Sequence, residues 1–162
     1  MSRAVTDPRF VVDVMLGRLA HWLRAMGYDT LYDGQADDHQ LLALSLADDR
    51  ILITRDTALA RAADQRGCLI RAEDTDGQLA ELVERLALAP PATRWLTRCL
   101  ECNTALEPRV KDGVRLLVPP RILATHTTFM GCPDCGRVFW RGSHFAHMCE
   151  RLARLVGRAR DS

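Results

Sequence analysis

Two short apolar runs in the first half of the chain each lead to an aspartate. Phe10–Val12 runs directly into Asp13, and Ile51–Thr54 runs through Arg55 into Asp56. Short β-branched runs followed by helical patterns are typical of parallel strands in an α/β sheet. Ligands of such sheets bind in the crevice outside the carboxyl ends of the strands. Because two carboxylates held together there need a cation between them, the pattern indicates divalent-metal chemistry on phosphate.

The rest of the first half continues this alternation of strand and helix patterns. We expect strands over residues 10–14, 28–32, 50–54 and 68–71, and helices over 16–26, 38–46, 57–66 and 79–88. This order predicts an α/β fold with a parallel sheet, helices on both faces and right-handed crossovers. Ala89–Ala92 contains two prolines and marks a linker, so we expect one domain over 1–90 and a second, smaller one over 91–162.

Charge is divided unevenly between these halves. Residues 1–90 hold 10 Arg and 15 Asp or Glu, a net charge of −5, whereas residues 91–162 hold 12 Arg or Lys and 6 Asp or Glu, a net charge of +6. An acidic half joined to a basic half is typical of a metal-using nuclease with a phosphate-binding appendage. The alternative is an arginine-rich chain whose metal-binding half happens to be acidic.

The sequence offers neither a membrane segment nor a secretion signal. No run approaches the roughly 18 consecutive apolar residues of a membrane span, and Met1–Arg9 has no apolar core of a signal peptide. We therefore expect a cytoplasmic protein that does not associate with membranes. Six cysteines in such a protein favour metal ligands or free thiols over disulfides.

Carboxylates follow each expected strand and form the candidate catalytic set: Asp13, Asp38, Asp56 and Asp74. We expect the first three to bind Mg²⁺ or Mn²⁺, hard ions that accept oxygen ligands and can activate water for phosphodiester hydrolysis. Aspartate is also a favoured helix N-cap, so capping alone can explain Asp38, Asp56 or Asp76.

Two positions in this set remain open. Asp37 is the alternative to Asp38, which we prefer because it lies three residues before Leu41, where a helix cap would sit. Asp76 is the alternative to Asp74.

Several neighbours of these carboxylates are candidates for contact with phosphate or water. Arg18, in the first turn of the first helix, and Arg55, before Asp56, are expected to bind phosphate. Thr54 is placed to orient a metal-bound water. Arg24 is expected on a solvated face of the first helix.

The second half contains two Cys-x-x-Cys pairs, Cys99 with Cys102 and Cys132 with Cys135. This spacing places two sulfurs on one side of a tetrahedral ion, so the four thiolates predict a structural zinc site, with a redox role as a minor alternative. The long gap between the pairs implies an inserted hairpin through 110–118, and Asn103 and Gly136 fit the tight turns after each pair. Cys68 and Cys149 are expected to be buried free thiols.

Basic, aromatic and histidine residues follow the second cysteine pair. Arg137, Arg141 and His144 are candidates for RNA binding, beside Phe139 and Trp140, because guanidinium groups and aromatic faces bind the backbone and bases of single-stranded RNA. The two aromatic residues can equally form the core of the small domain. A basic helix is expected over 145–160.

These segments together resemble the Mut-seven C-terminal ribonuclease domain, a PIN-like nuclease domain with an appended zinc ribbon. The resemblance rests on the following segments of this chain: Phe10–Ala20, Trp22–Arg24, Gly27–Asp29, Arg50–Asp56, Arg98–Asn103, Val118–Pro120, Cys132–Cys135 and Trp140–His144. It implies a PIN-like Rossmannoid fold and metal-dependent ribonuclease activity. By position, Asp13, Asp38 and Asp56 match acids of that family, and Asp74 is the candidate for a fourth.

The sequence therefore favours a Mg²⁺- or Mn²⁺-dependent ribonuclease that acts on single-stranded or structured RNA. One alternative is a non-catalytic RNA-binding or adaptor module in which the aspartates are caps. Another is a toxin-like nuclease specific for a structured RNA such as tRNA, and a DNA substrate fits the same acidic chemistry.

Overall fold

The computed structural model describes residues 7–160, which form a parallel sheet and a smaller antiparallel sheet. Strands β1 (Phe10–Val12), β2 (Thr30–Tyr32), β3 (Ile51–Thr54) and β4 (Gly67–Leu69) alternate with helices α1 (Gly17–Ala25), α2 (Asp38–Ala47), α3 (Thr57–Ala62) and α4 (Thr75–Arg85). The second half contains β5 (Glu107–Arg109), α5 (Pro120–Thr125), β6 (Phe129–Gly131), β7 (Val138–Trp140) and α6 (Ser143–Arg160). The predicted α/β class is confirmed.

The order of the strands creates a crevice at the centre of the parallel sheet. The four strands lie in the order β2-β1-β3-β4, and each neighbouring pair is parallel. The chain moves from β1 to one side for β2 and then crosses to the other side for β3. Ligand sites of open α/β sheets lie where the strand order reverses in this way. In this sheet that point is the carboxyl edge between β1 and β3.

Two separate apolar cores cover the two faces of the sheet, because alternate strand residues point to opposite faces. Phe10, Val12 and Ile53 face a core formed by α1, α4 and α6. Val11 and Leu52 face a smaller core with Leu41 of α2 and Leu59 of α3. Helices on both faces explain why the strands are apolar without alternation.

The second half forms a small unit that we call the ribbon, residues 95–142. Its sheet has the order β5-β6-β7 and is antiparallel, and Phe129, Val114 and Val118 form a core beneath it. The expected hairpin through 110–118 is wrong. A short 3₁₀ helix, Lys111–Val114, and a turn occupy this stretch. Helix α5 follows from Pro120, because proline is favoured at the first position of a helix.

The last helix belongs to the core of the parallel sheet. Met148, Leu152 and Leu155 share one side of this helix and are all buried in the same core as α1 and α4. Arg151 of α6 also pairs with Asp76 of α4 and lies over the ring of Trp22. The chain thus returns to its first half after the ribbon, while the division at residue 90 stays a prediction. Among residues 7–160, no helix has both the length and the apolarity needed to cross a bilayer.

Candidate active site and metal centre

Asp13 is a buried carboxylate at the crevice between β1 and β3. It follows the last residue of β1, its residue exposure is 4%, and its backbone N–H donates to Ile53 of β3. Oδ2 accepts a 2.6 Å hydrogen bond from the hydroxyl of Thr54, and Oδ1 accepts a 2.7 Å bond from the N–H of Val14. A carboxylate has about four acceptor positions, so Asp13 is held in one orientation with positions left for a cation.

Thr54 connects the two strand-end aspartates. Its fully buried hydroxyl donates to Asp13 and accepts the backbone N–H of Asp56 at 2.9 Å. The Asp56 side chain caps α3 by accepting the N–H of Leu59 through Oδ1 at 2.9 Å. The predicted capping role of Asp56 is therefore confirmed, and one hydroxyl links both carboxylate-bearing segments.

Tyr32 closes the side of the crevice nearest β2. Its hydroxyl donates to the carbonyl of Val14 at 2.9 Å, directly after Asp13. The ring passes so close to α1 that a Cβ on Gly17 would lie 2.7 Å from the tyrosine oxygen. Glycine at position 17 therefore allows the first turn of α1 to pack against the ring of Tyr32.

The cap of α2 is Asp37, not Asp38. Asp37 accepts the N–H of Gln40 at 2.8 Å, and the Gln40 side chain accepts the N–H of Asp37 at 2.9 Å, which is a complete capping box. Asp38 was preferred because it was expected at the helix cap, and that expectation is wrong: the cap lies one residue earlier. Asp38 is exposed in the first turn, and its carboxylate is not the one used for capping.

Asp74 and Asp76 have different roles at the start of α4. Asp74 is the N-cap and accepts the N–H of Gly77 at 2.9 Å, whereas Asp76 is the residue that pairs with Arg151. The expected capping role of Asp76 is wrong, because the helix begins at Thr75, earlier than the apolar pattern suggested. Glu81 accepts the N–H groups of Arg71 and Ala72 and so holds the loop before Asp74.

The carboxylates are arranged along the edge and do not form a compact cage. Within residues 7–160, the one group of three or more His, Cys, Asp or Glu side chains whose ligand atoms lie within 4.8 Å of one another is the four cysteines. The set Asp13, Asp38 and Asp56 does not meet this distance. Mg²⁺ commonly binds one or two carboxylates and keeps several waters, so the metal-ligand set stays a prediction.

The two arginines expected to bind phosphate are both exposed to solvent. Arg18 is exposed in the first turn of α1, and Arg55 is exposed between Thr54 and Asp56. Both therefore follow a strand that ends at the crevice.

Arg24 is not on a solvated face, and that expectation is wrong. Its guanidinium is buried and donates to the carbonyls of Thr30, Leu100 and Glu101 at 2.8 to 3.0 Å. Since Leu100 and Glu101 lie between the first two cysteines, this side chain joins α1 to the ribbon. Burial lowers the pKa of Arg24, and the neighbouring thiol and carboxylate groups oppose that shift.

Four cysteines are placed to bind a metal ion in the ribbon. The sulfurs of Cys99, Cys102, Cys132 and Cys135 all lie within 4.8 Å of one another, and Cys99 Sγ is 3.7 Å from Cys135 Sγ. Zinc–sulfur bonds of about 2.3 Å in a tetrahedron place sulfurs about 3.8 Å apart, so the arrangement is consistent with structural zinc. Asn103 and Gly136 both have positive φ, 70° and 74°, which confirms the predicted tight turns.

The surroundings shift the pKa values of two clustered thiols in opposite directions. A hydrogen bond from the backbone of Arg137 lowers the pKa of Cys135 to about 7. The side-chain hydrogen bond with Cys135 raises the pKa of Cys102 to about 12. Metal binding to these groups must therefore release protons.

Cys68 and Cys149 lie outside this cluster. Cys68 is buried in β4, as expected, and burial raises the pKa of its thiol. Cys149 is only half-buried, so that part of the expectation is wrong.

The first cysteine pair contacts the amino edge of the parallel sheet, opposite the crevice. Asn103 accepts the N–H of Thr30, the first residue of β2, and donates to Asp29 at 2.8 Å. Asp29 also pairs with the buried Arg50 at 2.8 Å. Burial would raise the pKa of Asp29, but hydrogen bonds from Arg50 and Asn103 hold it below its usual value.

The three residues expected to bind RNA in the second half lie around one open cavity. This cavity has a volume of about 800 Å³, and Arg137, Arg141 and His144 line it with His21 of α1. Arg137 forms an ion pair with Glu101 at 3.4 Å. His144 lies beside α1 and the ribbon in this cavity, which sequence patterns could not reveal because it brings together three distant segments.

Comparison with known proteins gives one match. The family model described as Mut7-C RNAse domain matches residues 8–152, which include Asp13, Asp56 and all four clustered cysteines. Neither the curated proteins nor the solved structures contain a match to this chain.

Proposed function

This chain belongs to the Mut7-C RNAse domain family, and we propose that it hydrolyses RNA at the crevice between β1 and β3 in a metal-dependent reaction. The observation that carries the proposal is the buried Asp13 at the point where the strand order reverses. Its two hydrogen bonds do not supply the counter-charge that a buried carboxylate needs, so a cation bound at this crevice would stabilise Asp13.

We assign the metal ligands to Asp13, Asp38 and Asp56, with Asp74 at the far side of the same edge. A bound Mg²⁺ or Mn²⁺ would neutralise phosphate charge and make water a better nucleophile. Asp13 supplies a fixed oxygen, because Thr54 and Val14 hold both of its carboxylate oxygens in place. Asp38 supplies a carboxylate that the α2 cap does not use.

The exposed arginines beside the crevice would bind the phosphates that flank the cleaved bond. Arg18 and Arg55 adjoin the strand ends that carry Asp13 and Asp56. Guanidinium groups bind phosphate in a bidentate manner. The four cysteines would hold zinc with a closed shell of thiolates, which serves structure and not catalysis.

The proposal is tested by cleavage of an end-labelled single-stranded RNA in Mg²⁺, in Mn²⁺ and after removal of both ions. Asp13→Asn keeps the size of the side chain but removes its charge, and we expect activity to fall on the order of a hundredfold or more. Asp112→Asn, an exposed acid of the ribbon, is the matched control. Full activity of Asp13→Asn, or full activity without divalent ions, would overturn the proposal.

The capping bonds favour a second candidate, an RNA-binding or adaptor module without catalysis. Asp37, Asp56 and Asp74 each accept a backbone N–H at the start of a helix, which gives them a structural role in the absence of a metal. This candidate predicts salt-sensitive RNA binding with no turnover in the same assay. A structured RNA such as tRNA and a single-stranded DNA belong in the substrate panel.

A further inference from the structure

The cavity between the ribbon, α1 and α6 is separate from the acidic crevice, and its walls combine aliphatic, aromatic and cationic side chains. Trp95, Trp140 and Phe145 contribute aromatic surface, Arg141 contributes a positive charge, and His21 and His144 contribute imidazole rings. Burial lowers the pKa of His21, which favours its neutral form. The guanidinium of Arg141 lies 5.3 Å from the centre of the Phe145 ring. Stacked cation and ring pairs of this kind present a flat surface to a planar ligand.

The charge of the cavity favours an anionic ligand. Three arginines line it: Arg137 is paired with Glu101, the one acid among the lining residues, and Arg98 donates to the carbonyls of Gly27 and Asn103. Arg141, stacked on Phe145, is therefore the main charged group that the cavity offers to an anion. Cationic walls around an aromatic floor match the two parts of a nucleotide, because the phosphate is anionic and every base has a flat face. A neutral apolar peptide would not use the arginines.

The surface of α1 connects this cavity to the crevice. Tyr32 packs against Gly17 in the first turn of α1 and donates to the carbonyl of Val14, the residue after Asp13, and Arg18 is exposed in that turn. His21 follows Arg18 by three residues, so the two side chains are neighbours on one face of the helix. A chain of phosphates that leaves the crevice at Arg18 therefore meets His21 and then the cavity.

We propose that this cavity binds unpaired bases of single-stranded RNA whose backbone runs from the acidic crevice along α1. The identity of the ligand as RNA rests on the proposed function, whereas the stacking surface rests on the cavity itself. The ribbon would then act as a platform for the nucleotides beyond the cleaved bond. It would favour unpaired RNA over duplex, because bases within a duplex are not free to stack on protein.

The test measures binding separately from cleavage. Anisotropy of a labelled single-stranded oligonucleotide is recorded with the full-length Asp13→Asn protein, which should not degrade its ligand. In this background we expect Arg141→Glu and Phe145→Ala each to weaken binding about tenfold or more, the scale of one lost base stack. Arg154→Glu, an exposed charge reversal on the same helix that does not line the cavity, should change binding less than about twofold.

Two further measurements guard against a folding defect and against pure charge attraction. Zinc content and far-UV circular dichroism of each variant must equal those of the parent protein. An abasic oligonucleotide of the same length should bind the parent more weakly than the normal one and should lose less affinity with Phe145→Ala. Equal binding of abasic, duplex and single-stranded ligands would overturn the stacking proposal.

The outcomes separate this inference from the proposed function. Cavity-dependent binding of RNA by a wild-type protein that cleaves nothing would support the cavity and contradict the ribonuclease. Metal-dependent cleavage with unaltered binding and cleavage in the cavity variants would support the ribonuclease and overturn the cavity. If both hold, cleavage of a long oligonucleotide should depend on Arg141 and Phe145, while cleavage of a dinucleotide should not.

Discussion

The side chain of Asn103 accepts the backbone N–H of Thr30 at 2.8 Å, so the residue after the first cysteine pair completes the amino end of β2. The same side chain donates to Asp29. The ribbon is thereby joined to the sheet through a fully buried backbone group, and we expect its folding to depend on β2.

Removal of this amide should destabilise the whole protein. Asn103→Gly introduces a residue that tolerates the φ of 70° but leaves the buried N–H of Thr30 without an acceptor, and we expect a loss of about 1–3 kcal/mol in the free energy of unfolding. Asn103→Ala should lose more, because alanine also disfavours positive φ. Urea denaturation measures both, with exposed Thr127→Ala as the control. A glycine variant as stable as the wild type would show that the hydrogen bond between Asn103 and Thr30 does not stabilise the protein.

Loss of the metal bound by the cysteines should reduce hydrogen-exchange protection in the parallel sheet. Cys132→Ser removes one of the four ligands, and we expect the protein to lose its zinc and the amide of Thr30 to lose protection from hydrogen exchange. Cys149→Ser, outside the cluster, should keep both. Since the thiols must lose protons to bind metal, zinc affinity of the wild type should fall as the pH is lowered. Normal protection of Thr30 in a zinc-free protein would show that the two parts fold separately.

The hydroxyl of Thr54 should matter for activity beyond its effect on stability. Thr54→Val keeps the shape but leaves Asp13 Oδ2 and the N–H of Asp56 without their partner. We expect a loss of about 10–100-fold in ribonuclease activity, typical of groups that orient metal ligands. Thr54→Ser keeps the hydroxyl and should retain most activity. Equal activity of the valine and serine variants at a temperature where both are folded would show that the Thr54 hydroxyl has no role in activity.

The ion pair of Asp29 predicts a specific pH dependence of stability. The pKa of Asp29 is held below its usual value of 3.8, so the unfolded chain binds its proton more readily than the folded one. This carboxylate therefore contributes fully to the free energy of unfolding at pH values above 3.8, its usual pKa. That contribution is lost as the pH falls through the lower pKa of the folded state. The difference in stability between the wild type and Asp29→Asn should be largest near neutral pH and shrink in acid. Chemical denaturation over a pH series, with Asp112→Asn as control, measures it, and a constant difference would refute the assignment.

Sequence patterns could predict the parts of this fold that depend on local spacing. The strands at Phe10 and Ile51 are apolar runs with a clear end, and the cysteine pairs need only the two residues between them. Both features were confirmed because neither depends on which segments meet in space. Asp37 and Asp38 show the limit of local reasoning, because two adjacent aspartates satisfy the same capping pattern and the Gln40 side chain decides between them.

Contacts between distant segments could not be predicted in this way. An arginine on a helix usually lies in solvent, and nothing near Arg24 in sequence indicates that carbonyls 76 and 77 residues away accept its hydrogen bonds. The expected hairpin through 110–118 is replaced by a 3₁₀ helix at Lys111–Val114 and a turn, which the local pattern of apolar residues does not indicate. Whether Asp13, Asp38 and Asp56 share an ion depends on distances that strand-end placement alone does not determine.

The packing of α6 against the core of the parallel sheet limits where the chain can be truncated. The ribbon is anchored at its start by Arg24 and Asn103 and at its end by a helix buried against α4. A segment tethered at both ends cannot swing as a loosely linked arm does. Truncation after the proline linker would uncover the apolar face that Met148 and Leu152 now shield, so the shortened chain should aggregate instead of yielding a minimal enzyme.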